Sequence, residues 1–138
     1  MNAPHILTYV DACLLIAAFR VEDARNRQAR EIIDDMRRKF LYSDALWLEL
    51  MPKPLYFKRQ SEVAFYRDFF ARAHHLPMTA AVMARARDIA ARYGLAAMDA
   101  IHIAHAIEAG ADELISAEKP SRPMFDVQEA AVLTIATD

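Results

Sequence analysis

The chain has 138 residues, of which 55% are hydrophobic and 26% are charged, and its formal net charge at pH 7 is −2. These values fit a single folded domain over residues 1–138 and exclude a disordered chain. Only 2 Gly and 6 Pro are present, which argues against a glycine-rich phosphate loop and so against P-loop and dinucleotide-binding chemistry. The small net charge excludes strong attraction of nucleic acid to the whole surface, so such binding would depend on local basic clusters.

The cysteine count and the hydropathy bear on disulfide formation and on the predicted cellular location of the protein. Cys13 is the single cysteine, so no disulfide forms within the chain. The apolar runs are too short to span a membrane, and the N-terminus lacks the basic and apolar segments of a signal peptide. The sequence therefore predicts a soluble cytoplasmic protein.

The first half of the sequence predicts alternating strands and helices. Short runs of β-forming residues indicate strands, and apolar residues at helical spacing indicate helices. Two prolines disturb the last of these helices. Strands are predicted over residues 5–10 and 40–43, and helices over residues 12–19, over residues 24–40, and from Asp44 through Glu49 to Pro52 and Pro54.

The second half of the sequence predicts longer helices and short strands. Ser61 and Thr79 are typical helix N-caps, while Gly94 and Gly110 are typical residues at helix ends. Helices are predicted over residues 61–75, between Thr79 and Gly94, and over 98–109; strands over 113–116 and 132–135; and a short strand or extended link over 76–78. Strands that alternate with helices predict an α/β domain with a mainly parallel sheet.

Lone carboxylates lie in the apolar stretches of the sequence. Asp11 closes one such run, Glu49 interrupts a second, and Asp99 interrupts a third. A carboxylate in apolar surroundings is costly unless a cation meets it, and a divalent cation bound by oxygen atoms would do so. Glu118 follows the predicted strand over 113–116, and ligands of α/β sheets bind beyond the C-terminal ends of strands. We therefore expect four acids at one edge of the sheet.

Four segments, in this order, resemble the motifs of PIN-domain nucleases. Residues 9–16 (Tyr-Val-Asp-Ala-Cys-Leu-Leu-Ile) resemble the opening strand and first acid, and residues 46–50 (Leu-Trp-Leu-Glu-Leu) resemble the second acidic motif. Residues 93–104, around Asp99, match the third motif, and residues 110–118, ending in Glu118, resemble the fourth. The resemblance spans about residues 5–120, nearly the whole chain.

The resemblance implies a three-layer α/β/α fold and the activity of a metal-dependent endoribonuclease. Many small members of the family are VapC-like toxins of toxin–antitoxin pairs, so the resemblance also implies a toxin. It assigns catalysis and metal binding to Asp11, Glu49, Asp99 and Glu118, with Mg²⁺ or Mn²⁺ as the cofactor. Asp11 and Asp99 would contact the metal directly, and Glu49 would bind it or orient one of its waters. RNA, an antitoxin protein and a second copy in a homodimer are the implied partners.

The sequence departs from the family pattern at two places. The family usually has Thr-x-Asp (or Asn) at the fourth motif, where this chain has Ser116-Ala117-Glu118. The family often has Ser or Thr two residues after the first acid, where this chain has Cys13. Glu is one methylene longer than Asp, so Glu118 would bind metal through water or not at all. A PIN-like binding or scaffold protein with impaired catalysis is therefore the alternative function.

The residues of the proposed acidic site also have simpler interpretations. Asp11 and Asp99 also fit helix N-caps, Glu49 a solvated helix edge, and Glu118 an ordinary loop. The spacing of Asp99, His102 and His105 on one helix face is compatible with zinc, although histidines in an apolar helix are more often hydrogen-bonded core residues. An unrelated phosphohydrolase for small phosphates is the third possible function.

Other residues carry two interpretations each. Cys13 is either a reactive thiol at a helix start or a small core residue. The basic residues between 25 and 39 alternate with acids and fit either RNA phosphate contacts or a solvated helix face. A mixed basic and aromatic segment fits either a single-stranded RNA track or a partner-binding surface; its members are Lys53, Tyr56, Phe57, Lys58 and Arg59.

Overall fold

The computed structural model describes residues 5–137 of the chain, with one parallel sheet at its centre. The sheet order is β3-β2-β1-β4-β5. The strands are β1 (Ile6–Val10), β2 (Arg38–Ser43), β3 (His74–Leu76), β4 (Glu113–Ser116) and β5 (Val132–Thr134). All adjacent strands run parallel, so the predicted α/β domain is confirmed. Because β1 is central, the residue that follows it lies at the middle of one edge of the sheet.

Helices connect the strands and cover both faces of the sheet. They are α1 (Ala12–Phe19), α2 (Asn26–Ile33), α3 (Asp44–Leu50), α4 (Pro52–Tyr56), α5 (Gln60–Ala71), α6 (Ala80–Tyr93) and α7 (Ala97–Glu108), with a 3₁₀ turn at Pro123–Asp126. Within residues 5–137, no helix has both the length and the hydropathy needed to cross a bilayer.

The sheet separates two apolar cores. Successive strand residues point to opposite faces, so Val10 packs into the core formed with α1, α2, α3 and α5, while Tyr9 packs into the core formed with α6 and α7. Ile115 and Leu114 of β4 divide between the two cores in the same way. The three-layer α/β/α architecture is confirmed.

Two helix predictions extended too far along the chain. Residues 38–40 belong to β2 rather than to a helix over 24–40, because they pair with β1 and bury Phe40. Residues 74 and 75 belong to β3 rather than to a helix over 61–75, because they pair with β2. The strand is therefore at 74–76 and not at 76–78. In both places strand pairing overrides a local apolar spacing that also suits a helix.

The helix ends show which local signals decided the boundaries. Thr79 caps α6 by accepting the Val82 N–H at 3.1 Å, and Gly94 ends α6 at a φ of +68°, as predicted. Ser61 is not a cap, since α5 begins at Gln60 and its N-cap residue makes no side-chain hydrogen bond. Pro52 follows the end of α3 and opens α4, where a missing N–H costs little.

Candidate active site

Asp11 lies at the C-terminal end of β1 and at the start of α1. Its Oδ1 accepts the Leu14 N–H at 3.0 Å, which confirms the N-cap interpretation. The side chain is also buried, with 5% of the residue exposed. Burial raises the pKa of Asp11 from 3.8 to about 6, against the opposite effect of hydrogen bonds to Ser116 and Leu14. Near neutral pH the negative charge of the buried Asp11 carboxylate is therefore only partly balanced by its hydrogen bonds.

Glu49 lies in the last turn of α3, which begins directly after β2. The N-cap of α3 is Ser43, whose Oγ accepts the Leu46 N–H at 3.3 Å. The Glu49 side chain is 32% exposed, and its Oε1 contacts Nε2 of the buried His102. Glu49 is exposed as a residue, in line with the solvated-edge interpretation, and its carboxylate also contacts the buried His102.

Asp99 and Glu118 both contact the side chain of Arg122, a residue that the sequence analysis did not single out. Asp99 lies in the first turn of α7, whose N-cap is Ala96, so the N-cap interpretation of Asp99 is wrong. Its Oδ2 accepts a hydrogen bond from Arg122 at 2.7 Å. The same guanidinium lies 3.6 Å from Oε2 of Glu118, which follows β4. Arg122 therefore bridges the third and fourth acidic segments.

The four predicted acids line one cavity of about 360 Å³. Its wall also includes two exposed or half-exposed arginines, Arg20 and Arg25. Larger clefts of about 590 and 400 Å³ are lined by apolar, polar and basic residues and by no carboxylate. The four predicted acids are Asp11, Glu49, Asp99 and Glu118, and a fifth acid that was not predicted, Asp23, also lines the cavity, where it pairs with Arg25.

The donor chemistry of this cavity fits a hard divalent cation, because its wall offers several carboxylate oxygens. Within residues 5–137, however, no group of three or more His, Cys, Asp or Glu side chains is already arranged to hold an ion. The contacts explain why: Asp99 is paired with Arg122, and Glu49 is bonded to His102. An ion that used Oδ2 of Asp99 here would compete with the Arg122 guanidinium.

The zinc alternative is wrong because its three residues face different partners. Asp99 pairs with Arg122, His102 bonds to Tyr9 and Glu49, and His105 stacks on the Tyr9 ring at a centroid distance of 6.4 Å. Both histidines are buried, with 2% of each residue exposed, which confirms the interpretation as core histidines.

Cys13 borders the cavity and packs partly against the core. Burial raises the pKa of the Cys13 thiol to about 12. The nucleophilic form of cysteine is the thiolate, so the partial burial of Cys13 against the core favours the interpretation as a small core residue.

Most of the basic residues between 25 and 39 support the fold. Arg25 pairs with Asp23 at 3.0 Å and contacts the Ala117 carbonyl, and Arg30 donates to the Ala18 carbonyl at 2.9 Å. Among residues 5–137, Arg20 at the cavity wall makes no ion pair. The aromatic residues near Arg59 are exposed, and its guanidinium lies 5.2 Å from the Phe57 ring centroid.

Arg122 and the Tyr9–His102 contact had no readable signal in the sequence. Arg122 lies in an irregular segment of the chain, four residues after Glu118, where no periodic pattern fixes the direction of a side chain. The contact between Tyr9 and His102 joins residues 93 positions apart, and a single sequence does not reveal such pairs.

Comparisons with known proteins bear on this cavity and fold. The sequence matches the PIN domain family over residues 8–119. No curated protein matches it significantly. The chain is similar to VapBC2 from Rickettsia felis bound to a DNA fragment from their promoter, at 12% identity and a TM-score of 0.71, covering 94% of this chain and 98% of that chain.

Two further solved structures are similar. One is a toxin-antitoxin complex from Klebsiella pneumoniae, at 19% identity and a TM-score of 0.65, covering 90% of this chain and 98% of that chain. The other is VapC20 from Mycobacterium tuberculosis, a Sarcin-Ricin loop cleaving toxin, at 18% identity and a TM-score of 0.61, covering 78% of this chain and 86% of that chain. At these identities the likeness shows a shared fold.

Proposed function

The chain belongs to the PIN-domain family, and on this premise we propose that it is a divalent-metal-dependent endoribonuclease and the toxin of a toxin–antitoxin pair. One observation carries the proposal: four segments far apart in the sequence each present one carboxylate to the same cavity. Structural likeness to a toxin described as cleaving supports an enzymatic role. The four residues proposed for catalysis are Asp11, Glu49, Asp99 and Glu118.

The carboxylates have different roles in this proposal. Asp11 and Asp99 would hold Mg²⁺ or Mn²⁺ directly, Glu49 would bind it or orient one of its waters, and Glu118 would act through water. A bound ion supplies neutralisation of phosphate charge and a water of lowered pKa. Asp11 favours such binding because its buried charge has no full counter-charge in the protein. Asp99 opposes it until Arg122 moves away.

The cations at the cavity wall suit an RNA backbone. Arg20 and Arg25 border the four acids, and guanidinium groups bind phosphate oxygens through paired hydrogen bonds. Arg20 is the better candidate, because Arg25 is already held by Asp23 and the Ala117 carbonyl. These contacts would hold a scissile phosphodiester over the carboxylates.

Exposed apolar residues on α3, at the end of α4 and directly after it suit a protein partner. Leu48 is 65% exposed, and Tyr56 and Phe57 are 80% and 57% exposed. An amphipathic segment of an antitoxin would bury such side chains. The Klebsiella pneumoniae neighbour is itself a toxin-antitoxin complex, which supports an antitoxin as this partner. A homodimer stays a prediction.

The decisive experiment combines metal binding with cleavage. We would titrate Mn²⁺ and Mg²⁺ into the purified protein by calorimetry and assay a structured RNA on the same samples. Asp99→Asn is the test variant, and Asp34→Asn is the matched control because Asp34 is exposed and outside the cavity. We expect binding and cleavage in the wild type and the control, and loss of both in Asp99→Asn. Absence of metal binding in the wild type would refute the proposal.

A PIN-domain protein that binds partners without cleaving RNA is the second candidate. Arg122 favours it, because a guanidinium already pairs with Asp99 and lies near Glu118. Metal binding without cleavage of any RNA tested would select this second function.

A further inference from the structure

A buried chain of hydrogen bonds connects β1, α3 and α7, the elements that hold or adjoin three of the four acids. The hydroxyl groups of Ser43 and Tyr9 lie 2.7 Å apart, and the Tyr9 hydroxyl lies 2.6 Å from Nδ1 of His102. The other ring nitrogen of His102, Nε2, contacts Oε1 of Glu49. The chain therefore starts at the N-cap of α3 and returns to the last turn of the same helix.

This hydrogen-bonded chain of side chains is buried except at its outer end. Ser43 and Tyr9 are fully buried and His102 nearly so, whereas Glu49 reaches the cavity and is partly exposed. The Tyr9 ring packs 5.4 Å from the His102 ring and stacks on His105 on the same helix. The His102 ring is thus confined by packing as well as by hydrogen bonds. It therefore presents Nε2 to the partly exposed Glu49 carboxylate from a packed position.

The donors and acceptors of the chain point in one direction. Ser43 Oγ accepts the Leu46 N–H, which leaves its own proton to be donated to the Tyr9 oxygen. The Tyr9 hydroxyl, which accepts from Ser43, donates its own proton to its other neighbour, Nδ1 of His102. An ionised carboxylate only accepts, so Nε2 of a neutral His102 ring must donate to Glu49. Every member then has a partner, and no buried side-chain N or O within residues 5–137 is unpaired.

We propose that His102, braced by Tyr9, is the positioning residue of Glu49: its Nε2–H orients the Glu49 carboxylate into the acidic cavity. The metal-binding consequence rests on the proposed function. A free Glu side chain loses rotamer entropy when it is fixed, and a rigid donor has already restricted it. Removing hydrogen-bond partners of metal ligands typically weakens metal affinity or activity about 10- to 100-fold.

The first test is independent of metal. Long-range ¹H–¹⁵N spectra of the histidine rings, with His102→Gln used for assignment, should show His102 protonated at Nε2 alone. Tyr9→Phe should shift the Nδ1 resonance of His102, because the donor to that nitrogen is removed. Glu49→Gln should shift the Nε2 resonance. Tyr93→Phe is the matched control, since it removes a tyrosine–carboxylate bond at Glu129.

The second test measures Mn²⁺ affinity by calorimetry in two variants of His102 whose side-chain amides differ in length. The amide nitrogen of His102→Gln falls near the position of Nε2, so this variant should retain wild-type affinity. His102→Asn reaches only the position of Nδ1 and should weaken affinity about tenfold. Tyr9→Phe keeps the His102 ring and is the milder perturbation should His102→Asn fail to fold.

The outcomes separate this proposal from the proposed function. A ring protonated at Nδ1, or at both nitrogens, would overturn the assigned direction. Equal Mn²⁺ affinity in the wild type, His102→Asn and Tyr9→Phe would overturn the positioning role. If the wild type itself binds no Mn²⁺, the proposed function fails, and the resonance shifts in Tyr9→Phe and Glu49→Gln still decide the hydrogen-bonded chain. Unshifted resonances in both variants would refute it.

Discussion

Replacing Asp11 by asparagine should stabilise the metal-free protein at neutral pH. Burial raises the pKa of Asp11 from 3.8 to about 6, a difference of about two units. One unit corresponds to about 1.4 kcal/mol, so the buried charge lowers the free energy of unfolding by up to about 3 kcal/mol. Asparagine removes that charge and keeps an oxygen that can accept the Leu14 N–H.

The same shift sets the pH dependence of this effect. The pKa of Asp11 is higher in the folded state, so between about pH 4 and pH 6 the folded protein binds more protons than the unfolded chain. Stability contributed by this group therefore falls as pH rises through that window. Below it, Asp11 is protonated in both states and the penalty is absent. The advantage of Asp11→Asn should thus be near zero at about pH 4 and complete at about pH 7.

Urea unfolding in the presence of a chelator measures this difference, with Asp34→Asn as the exposed control. Excess Mn²⁺ should then reverse the order, because a ligand that binds only the folded wild type adds to its stability. An Asp11→Asn variant that is no more stable than wild type at pH 7, while the control is unchanged, would refute the reasoning that burial penalises this charge.

Three further outcomes follow from the contacts in the cavity. Glu118→Ala should reduce RNA cleavage less than Asp99→Asn in a single-turnover assay; an equal loss would make Glu118 a full ligand. Arg122→Gln should tighten Mn²⁺ binding about fivefold by calorimetry, since a partly exposed ion pair such as Arg122–Asp99 is worth about 1 kcal/mol; weaker binding would show that Arg122 supports the metal instead of competing with it. Arg20→Ala should raise KM for RNA with little change in kcat, while Arg67→Ala, in a different cleft, should change neither; a fall in kcat alone would contradict a phosphate-binding role.

The parts of the fold that local chemistry determines could be predicted from the sequence. The apolar run before Asp11 gave β1, and Thr79 and Gly94 gave the bounds of α6, because a strand core, a cap and a left-handed end residue act within a few positions. The ends of α2 and α5 could not be predicted. There, residues 38–40 and 74–75 join the sheet through partners distant in sequence, and that pairing outweighs local spacing.

The same division holds for the candidate site. The four acids stood out because each lies in or beside an apolar segment, and the structure gathers them around one cavity. Their partners were not predictable. Arg122 lies in a segment without periodicity, and His102 looks like any histidine in an apolar helix until Tyr9 and Glu49 are placed against it. Sequence periodicity reveals which side chains face inward, and it does not reveal which inward-facing groups meet.

The sheet order also determines when during synthesis the cavity can exist. β4 lies beside β1, so Leu114 pairs with Tyr9 across 105 positions of sequence, and Glu118 and Arg122 come only after that strand. Contacts of such long separation form late, because a large loop must close first. A nascent chain that has not yet reached β4 therefore contains Asp11 and Glu49 but not Glu118. We therefore expect the acidic cavity to be complete only after residues 113–122 have been synthesised and have left the ribosome.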